Sequence, residues 1–231
     1  MTDNARTAAP VDRLVRPFYE RDGITIYCGS AWDVLPLIGV VDAVITDPPY
    51  GCKRPSQRTG KRADIQGNAT VDTSWMSSLT VADGGAVYVF TSWEVIDEWK
   101  AAMKARWNLR SCIVWDKGIH GLADLKTCWA PRHELCLFAG VGRHELQGSR
   151  PIDVLQVQRT NDTDHPYEKP VALMRKLIVA SGPSILVDPF MGSGSTLVAA
   201  KLEGKRAIGI DIEERYCEMA ANRLRQGVFG F

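Results

Sequence analysis

Short apolar runs alternate with longer amphipathic stretches along this chain, and that alternation predicts an α/β fold. Ile24-Thr25-Ile26-Tyr27-Cys28 has the two-residue period of a strand. Val41 to Thr46, Ala86 to Phe90, Ser184 to Val187 and Arg206 to Ile210 are apolar and rich in β-branched residues. That is the pattern of strands buried on both faces. Cys112 to Trp115 and Glu134 to Ala139 are two further strand candidates. Helical spacing joins Val95, Ile96, Trp99, Ala102 and Met103, then Leu173, Met174, Leu177 and Ile178, and finally Ile212, Tyr216, Ala220 and Leu224. A further helix is predicted over 197–202. Ser30 is placed to cap a short helix running toward Leu35 and Leu37, and Thr91 or Ser92 to cap the next. Pro170 suits a helix start, and Gly182-Pro183 a helix end. Residues 73–82 read as a weak helix and Asp83-Gly84-Gly85 as a turn.

Two segments break the periodicity. In 51–70, Lys53, Arg54, Arg58, Lys61 and Arg62 lie among Gly, Pro, Ser and Thr with no acid between the first and last of them. This reads as a basic loop, either solvated or touching phosphate. In 140–164, Arg143, His144, Arg150 and Arg159 sit among Gly and Pro. It is a candidate target-recognition insertion, against the plainer reading of a surface excursion. Residues 1–17 read as a loose N-terminal tail and 18–231 as a single domain.

Composition narrows the picture. At 231 residues, 45% hydrophobic and 24% charged, the chain can bury one sizeable core. A net charge of +1 excludes a polycation, so any nucleic-acid surface must be a local patch. The six cysteines, at 28, 52, 112, 128, 136 and 217, form no Cys-x-x-Cys pair. With no leader-like or membrane-spanning segment in view, reduced thiols in a cytoplasmic protein are expected. Cys128, His133 and Cys136 could be spaced for zinc, but they match no zinc pattern well and packing is the favoured reading. No metal is expected.

Two stretches carry candidate chemistry. The first is Asp47-Pro48-Pro49-Tyr50, directly after a buried strand. Two prolines cannot continue a ladder, so the strand stops and a carboxylate, stiff backbone carbonyls and a ring are held at its end. That end of an α/β sheet is where ligands bind. The tetrapeptide could grip a planar, amino-bearing base. The second is Asp188-Pro189-Phe190-Met191-Gly192-Ser193-Gly194-Ser195, between a strand and a helix, with Asp211 about 20 residues on. Strand, Gly-x-Gly turn, helix, strand and acid is a nucleotide-binding arrangement, in which Asp211 is placed to hold ribose hydroxyls. Leu197 stands where a dinucleotide site needs its third glycine, and no Gly-Lys-Ser/Thr is present. An adenosyl ligand without pyrophosphate fits better. Asp188 suits an ammonium, and S-adenosylmethionine meets all of these demands.

These stretches, with His165-Pro166-Tyr167-Glu168-Lys169-Pro170, resemble three motifs of the amino-directed DNA methyltransferases. Val114 to Lys117 and Arg132 to Ala139 are similar to further family stretches, and the likeness spans roughly 22–226 apart from 140–164. Because the tetrapeptide precedes the glycines, the order resembles the circularly permuted β-class. The resemblance implies a Rossmann-like class I methyltransferase fold, a seven-stranded and mostly parallel sheet with one antiparallel strand. It implies transfer of a methyl group from S-adenosylmethionine to the N6 amine of an adenine flipped out of double-stranded DNA. Asp47 and the Pro48 carbonyl would take hydrogen bonds from that amine, Pro49 would stiffen the turn and Tyr50 would stack on the base. Phe190, Gly192, Ser193 and Gly194 would line the cofactor, with Asp188 at its amino-acid part and Asp211 on its ribose. Lys169 and Pro170 belong to the cofactor-side motif. Ser30 stands where the family often has an acid, and Asp33 could substitute for it. The basic loop, with Arg143 and Arg150, would face DNA. Cytosine N4 is the rival target, though such enzymes more often carry Ser in place of Asp47. RNA or protein amides, a non-catalytic DNA-binding module and a NAD-dependent enzyme are weaker rivals. Cytosine C5 chemistry lacks its Pro-Cys pair. The short insertion implies a short target or help from a second subunit. The resemblance further implies a bacterial or phage-infected cell, with or without a cognate restriction enzyme as partner.

Overall fold

A computed structural model describes residues 16–49, 71–118, 126–127, 129–159 and 168–226. Tyr50, the basic loop with Lys53, Arg54, Arg58, Lys61 and Arg62, Cys52, Cys128 and residues 165–167 lie outside these. The described chain forms a single nine-stranded sheet. Its strands are β1 (Tyr19–Arg21), β2 (Ile24–Cys28), β3 (Val41–Thr46), β4 (Val81–Thr91), β5 (Asn108–Asp116), β6 (His133–Gly140), β7 (Val154–Gln156), β8 (Ile185–Asp188) and β9 (Arg206–Asp211). The order across the sheet is β1-β2-β9-β8-β3-β4-β6-β5-β7. Among the inner strands β6 alone runs antiparallel to its neighbours, β4 and β5.

The expected seven strands are thus present with two short additions. β1 pairs antiparallel with β2, and β7, from within 140–164, pairs parallel with β5. Part of the candidate insertion is therefore a sheet edge. Three-residue strands carry too little periodicity to be seen in sequence.

Side-chain alternation distributes the sheet between two cores. Ala86, Tyr88 and Phe90 of β4 face one side, with Ile24, Ile26 and Ile45. Three helices cover that side: α3 (Val171–Ser181), α4 (Ser195–Leu202) and α5 (Glu214–Arg225). Val87 and Val89 face the other side, with Val41, Val44 and Val187. There the cover is α1 (Ala31–Val34), α2 (Ile96–Lys104) and the 3₁₀ turn Ser74–Ser78, which contributes the fully buried Trp75. Each fully buried Ile or Val contributes roughly 1.5–3 kcal/mol. Among the described residues no helix is long and apolar enough to cross a membrane, and no cluster of three His, Cys, Asp or Glu could hold a metal.

Three local expectations are corrected. Asp83-Gly84-Gly85 is not a turn between elements but a bulge inside β4, where the register against β3 slips between Val41 and Ala43. A Cβ on Gly85 would strike the Asp42 carbonyl at 2.7 Å, so the bulge is tight enough to need glycine there. Residues 73–82 form one short 3₁₀ turn followed by strand rather than an α-helix. Neither Ser30, nor Thr91, nor Ser92 caps a helix with its side chain. α1 starts at Ser30 without such a bond, and α2 starts at Val95. By contrast Pro170 does precede α3, and Gly182 ends it by donating its N–H to the Ile178 carbonyl at 2.8 Å.

The seam between β3 and β8 holds the two halves of the sheet together. It is short, with Ala43 opposite Leu186 and Val44 opposite Val187. At the lower end of this seam the Asp42 carboxylate accepts the N–H groups of Ser184 and Ile185 at 2.8 and 3.0 Å. Asp42→Ala leaves both donors without that partner. Charge-assisted bonds of this kind are worth about 1.5–3 kcal/mol. The variant is expected to lose about 1–3 kcal/mol in urea unfolding with an unchanged denaturant slope, and a loss below about 0.3 kcal/mol would refute the role of Asp42 as a brace.

Candidate active site

The parallel strands end on one edge of the sheet, and the two sequence-predicted stretches meet there. Asp47 follows β3, and Asp188 ends β8, the neighbouring strand. Thr46 closes the upper end of the seam. Its hydroxyl donates to Asp188 Oδ1 at 2.8 Å, fully buried. Pro48 is buried and Pro49 half-buried behind Asp47. The stiff dipeptide therefore packs inward and leaves the carboxylate at the rim.

The glycine stretch is built for close approach. Gly194 has φ +82°, and a Cβ there would lie 2.7 Å from Ala220 Cβ of α5. Gly209 of β9 would place a Cβ 2.5 Å from Met191 Sδ and 2.6 Å from Leu197 Cδ1. The turn is therefore folded back onto bare backbone. Asp211, at the end of β9, accepts the N–H of Gly192 at 2.9 Å on Oδ2 and that of Glu213 at 2.9 Å on Oδ1. Burial pushes its carboxyl up, against those two bonds. Each oxygen has a second lone pair with which to accept a hydroxyl.

From behind, Arg223 of α5 supports the same turn. It donates to the Ser193 carbonyl at 2.9 Å and pairs with buried Glu168 at 3.1 Å, while the Ser193 hydroxyl donates to Glu168 at 2.9 Å. Ser193 is thus engaged with the scaffold. In front, half-buried Phe190 meets Trp32 and Trp75 edge to face, with centroids 5.8 and 5.4 Å apart. Trp32 is in turn pinned by its indole N–H, which donates to Ser74 Oγ at 2.7 Å. Asp33 is exposed beside Trp32 on α1.

Asp188 is the most perturbed carboxyl at the site. Burial pushes it up to about 6, against the Thr196 and Thr46 hydroxyls and the Phe190 N–H, and the charge of Asp47 adds to the rise. Lys169, immediately before α3, lies on Asp47 rather than among the glycines. Its ammonium pairs with Asp47 Oδ2 and sits 3.1 Å from Glu134 Oε2 of β6. Burial alone would push this lysine down, but the two carboxylates outweigh it and hold it above its ordinary range. Glu134 is itself held below the usual carboxylate range, because Lys169 and Lys117 overcome the opposing effect of burial. Pro170 is buried at the start of α3.

Arg143 and Arg150 are not brought to this edge by their strand. They follow β6, which runs antiparallel, so the chain leaves the sheet on the side away from Asp47 before returning through β7. Both are exposed. Their neighbour His144 is buried at that far side, with Nδ1 2.7 Å from the Gly84 carbonyl. Sequence reading did not find Thr46, Trp32, Arg223 or the part played by Glu134. Each acts across 17 or more residues of separation, which local periodicity does not report.

Comparison with known proteins bears on this geometry. A family model described as DNA methylase matches residues 140–222. A putative methylase, YubD, from Escherichia coli strain K12 is 34% identical over 195 residues, covering 80% of this chain and 82% of that protein. Among solved structures, the complex of M1.HpyAVI with SAM superposes with a TM-score of 0.70 at 24% identity, covering 87% of this chain and 99% of the other. The PvuII DNA methyltransferase, specific for cytosine N4, gives 0.73 at 16% identity, covering 93% and 91%.

The raised Asp188 carboxyl fixes a pH dependence. In the fold it keeps its proton to about pH 6, whereas in the unfolded chain it loses it near 3.8. Between these values the folded state binds more protons, so this group's contribution to stability falls as pH rises and is fully lost above about 6. Two pH units correspond to roughly 3 kcal/mol. Urea midpoints measured from pH 4.5 to 7.5 are expected to rise for wild type toward acid relative to Asp188→Asn. Parallel curves for the two proteins would show that Asp188 titrates ordinarily.

Proposed function

The chain belongs to the amino-directed DNA methylase family, and we propose that it transfers a methyl group from S-adenosylmethionine to the N6 amine of an adenine flipped out of DNA. The observation that carries this reading is the meeting of Asp47 and the glycine turn at the ends of neighbouring strands, joined by the Thr46–Asp188 hydrogen bond. Two substrates held there are adjacent without any further rearrangement of the sheet.

The residues present fit the cofactor. The turn at 190–194 packs so closely against α5 and β9 that side chains are excluded at Gly194 and Gly209. Asp188 is a buried acid with no cation beside it among the described residues, and an arriving ammonium would stabilise its negative charge. Asp211 keeps lone pairs for ribose hydroxyls, and Phe190 with Trp32 offers ring surface to an adenine. When bound, S-adenosylmethionine supplies a methyl group activated on a sulfonium.

The chain's own residues do the rest. An exocyclic amine is a poor nucleophile, because its lone pair is delocalised into the ring. Asp47 and the Pro48 carbonyl accept hydrogen bonds from its two hydrogens and favour a pyramidal nitrogen, whose lone pair then faces the methyl group. Positioning of this kind supplies much of the rate. Tyr50 and the basic loop with Lys53, Arg54, Arg58, Lys61 and Arg62 are proposed as DNA contacts, through stacking on the base and through phosphates. Such contacts would make binding strongly salt-dependent.

Adenine is favoured over cytosine by Asp47 itself, since cytosine-N4 enzymes more often carry serine in that position. The likeness in fold to the cytosine-N4-specific PvuII enzyme supports the second reading, N4 methylation. Incubation of DNA with the protein and methyl-labelled S-adenosylmethionine, followed by digestion to nucleosides, is expected to put the label on N6-methyl-2′-deoxyadenosine. Label on N4-methylcytosine would establish the second reading, and unlabelled DNA would overturn both. Asp47→Ala is expected to lower turnover by at least about 100-fold while leaving cofactor affinity within about threefold of wild type.

A further inference from the structure

The rim beside Asp47 holds a row of charges from four separate elements. The order is Asp47 after β3, Lys169 before α3, Glu134 on β6 and Lys117 after β5. Lys169 pairs with Asp47 and lies 3.1 Å from Glu134, and Lys117 lies 3.4 Å from the other oxygen of Glu134. Signs alternate along the row, so each inner charge has two opposite neighbours. Lys169 is 8% exposed, and its ammonium also stands 5.2 Å from the centre of the Phe90 ring. A lysine so enclosed has lost most of its rotamer freedom. It can therefore hold a partner in place instead of following it.

We infer that Lys169, itself anchored by Glu134, is a positioning residue that fixes the Asp47 carboxylate to receive the target amine. The inference rests on the reading of Asp47 as the amine acceptor. It departs from the sequence motif, which would assign Lys169 to the cofactor side.

The physical need is clear from the surroundings. Asp47 lies near a second acid, Asp188, which is buried and already disfavours another negative charge close by. The apolar ring of Phe90 and the buried Cys136 lie on the same side. Without a cation, a carboxylate here would tend to take up a proton or turn toward water. Either change would leave the amine without its acceptor. Lys169 opposes both. Glu134 prevents the opposite failure, in which an unshared ammonium would hold Asp47 too tightly to itself. Among the described residues the groups facing Asp47 include Lys169 and, through it, Glu134 and Lys117, with Asp188 from β8 and Cys136 from β6. Cys136 is pushed well above its usual range by burial and stays neutral across the working pH.

The two partners should move the pH profile in opposite directions. Lys169→Met removes the cation and keeps an apolar stem of similar length. It is expected to lower kcat by about 100-fold, to leave the Kd for S-adenosylmethionine within about threefold of wild type, and to move the acid limb of the rate profile upward by about 1–3 pH units. Lys169→Arg, which restores the charge with a different fork, should bring the limb back toward wild type with kcat still reduced. Glu134→Gln removes the competing carboxylate and should shift the limb downward. A merely structural role would not give opposite signs. Should Lys169→Met fail to fold, by circular dichroism, the Glu134→Gln and Lys169→Arg profiles decide the matter.

Titration of the Asp47 carboxyl carbon by ¹³C NMR, assigned with Asp47→Asn, gives the same shifts without a DNA substrate. Absence of DNA methylation by the wild-type protein would overturn the functional reading alone, since the titration still decides the electrostatic role. An Asp47 titration unmoved in Lys169→Met, or unchanged kcat with a tenfold weaker cofactor Kd, would overturn the inference and return Lys169 to the cofactor side.

Discussion

One buried hydrogen bond, from Thr46 to Asp188, ties the half of this sheet that carries Asp47 to the half that carries the glycine turn. The seam it closes has few backbone bonds of its own, and Asp42 braces the other end. Side chains thus do at the centre of the molecule what a long ladder does elsewhere. The arrangement has a functional logic. A longer β3–β8 ladder would carry backbone up to the rim and fill the space that two ligands need. A short seam clamped at both ends gives a crevice with fixed walls.

The walls differ in electrostatic character. On the side of the glycine turn carboxyls are pushed up by burial, at Asp211 in spite of Arg215 and at Asp188 with no cation beside it among the described residues. On the Asp47 side the carboxylates are matched by lysines, and Glu134 is pulled down. A ligand bearing a positive charge is therefore drawn to the first side, and the second is already neutralised. The two substrates of a methyl transfer differ in just this respect, one being a sulfonium with an ammonium and the other a neutral base.

Much of this was legible in the sequence, and for identifiable reasons. β3, β8 and β9 announce themselves because strands buried on both faces must be continuously apolar. Asp47-Pro48-Pro49 and Gly192-Ser193-Gly194 announce themselves because proline and glycine have few other uses at a strand end. The register slip at Gly84-Gly85 was read as a turn, because two glycines after an aspartate satisfy either geometry and only the neighbouring strand decides. The pairing of Lys169 with Asp47 and Glu134 is hidden from the sequence for a related reason. Its motif is contiguous, but its ammonium reaches across to elements 35 and 122 residues away. No local pattern encodes that choice.

The outermost strands have a consequence for how this molecule keeps company. β1 and β7 are only three residues long, and β1 ends in Glu20 and Arg21. Long flat edges recruit other chains by offering unpaired N–H and carbonyl groups, and short charged ones do not. Both flanks of the described sheet thus offer little backbone onto which a further strand could be added. Among the described residues, any partner has to be met through helices or loops, where side chains rather than backbone decide who is admitted.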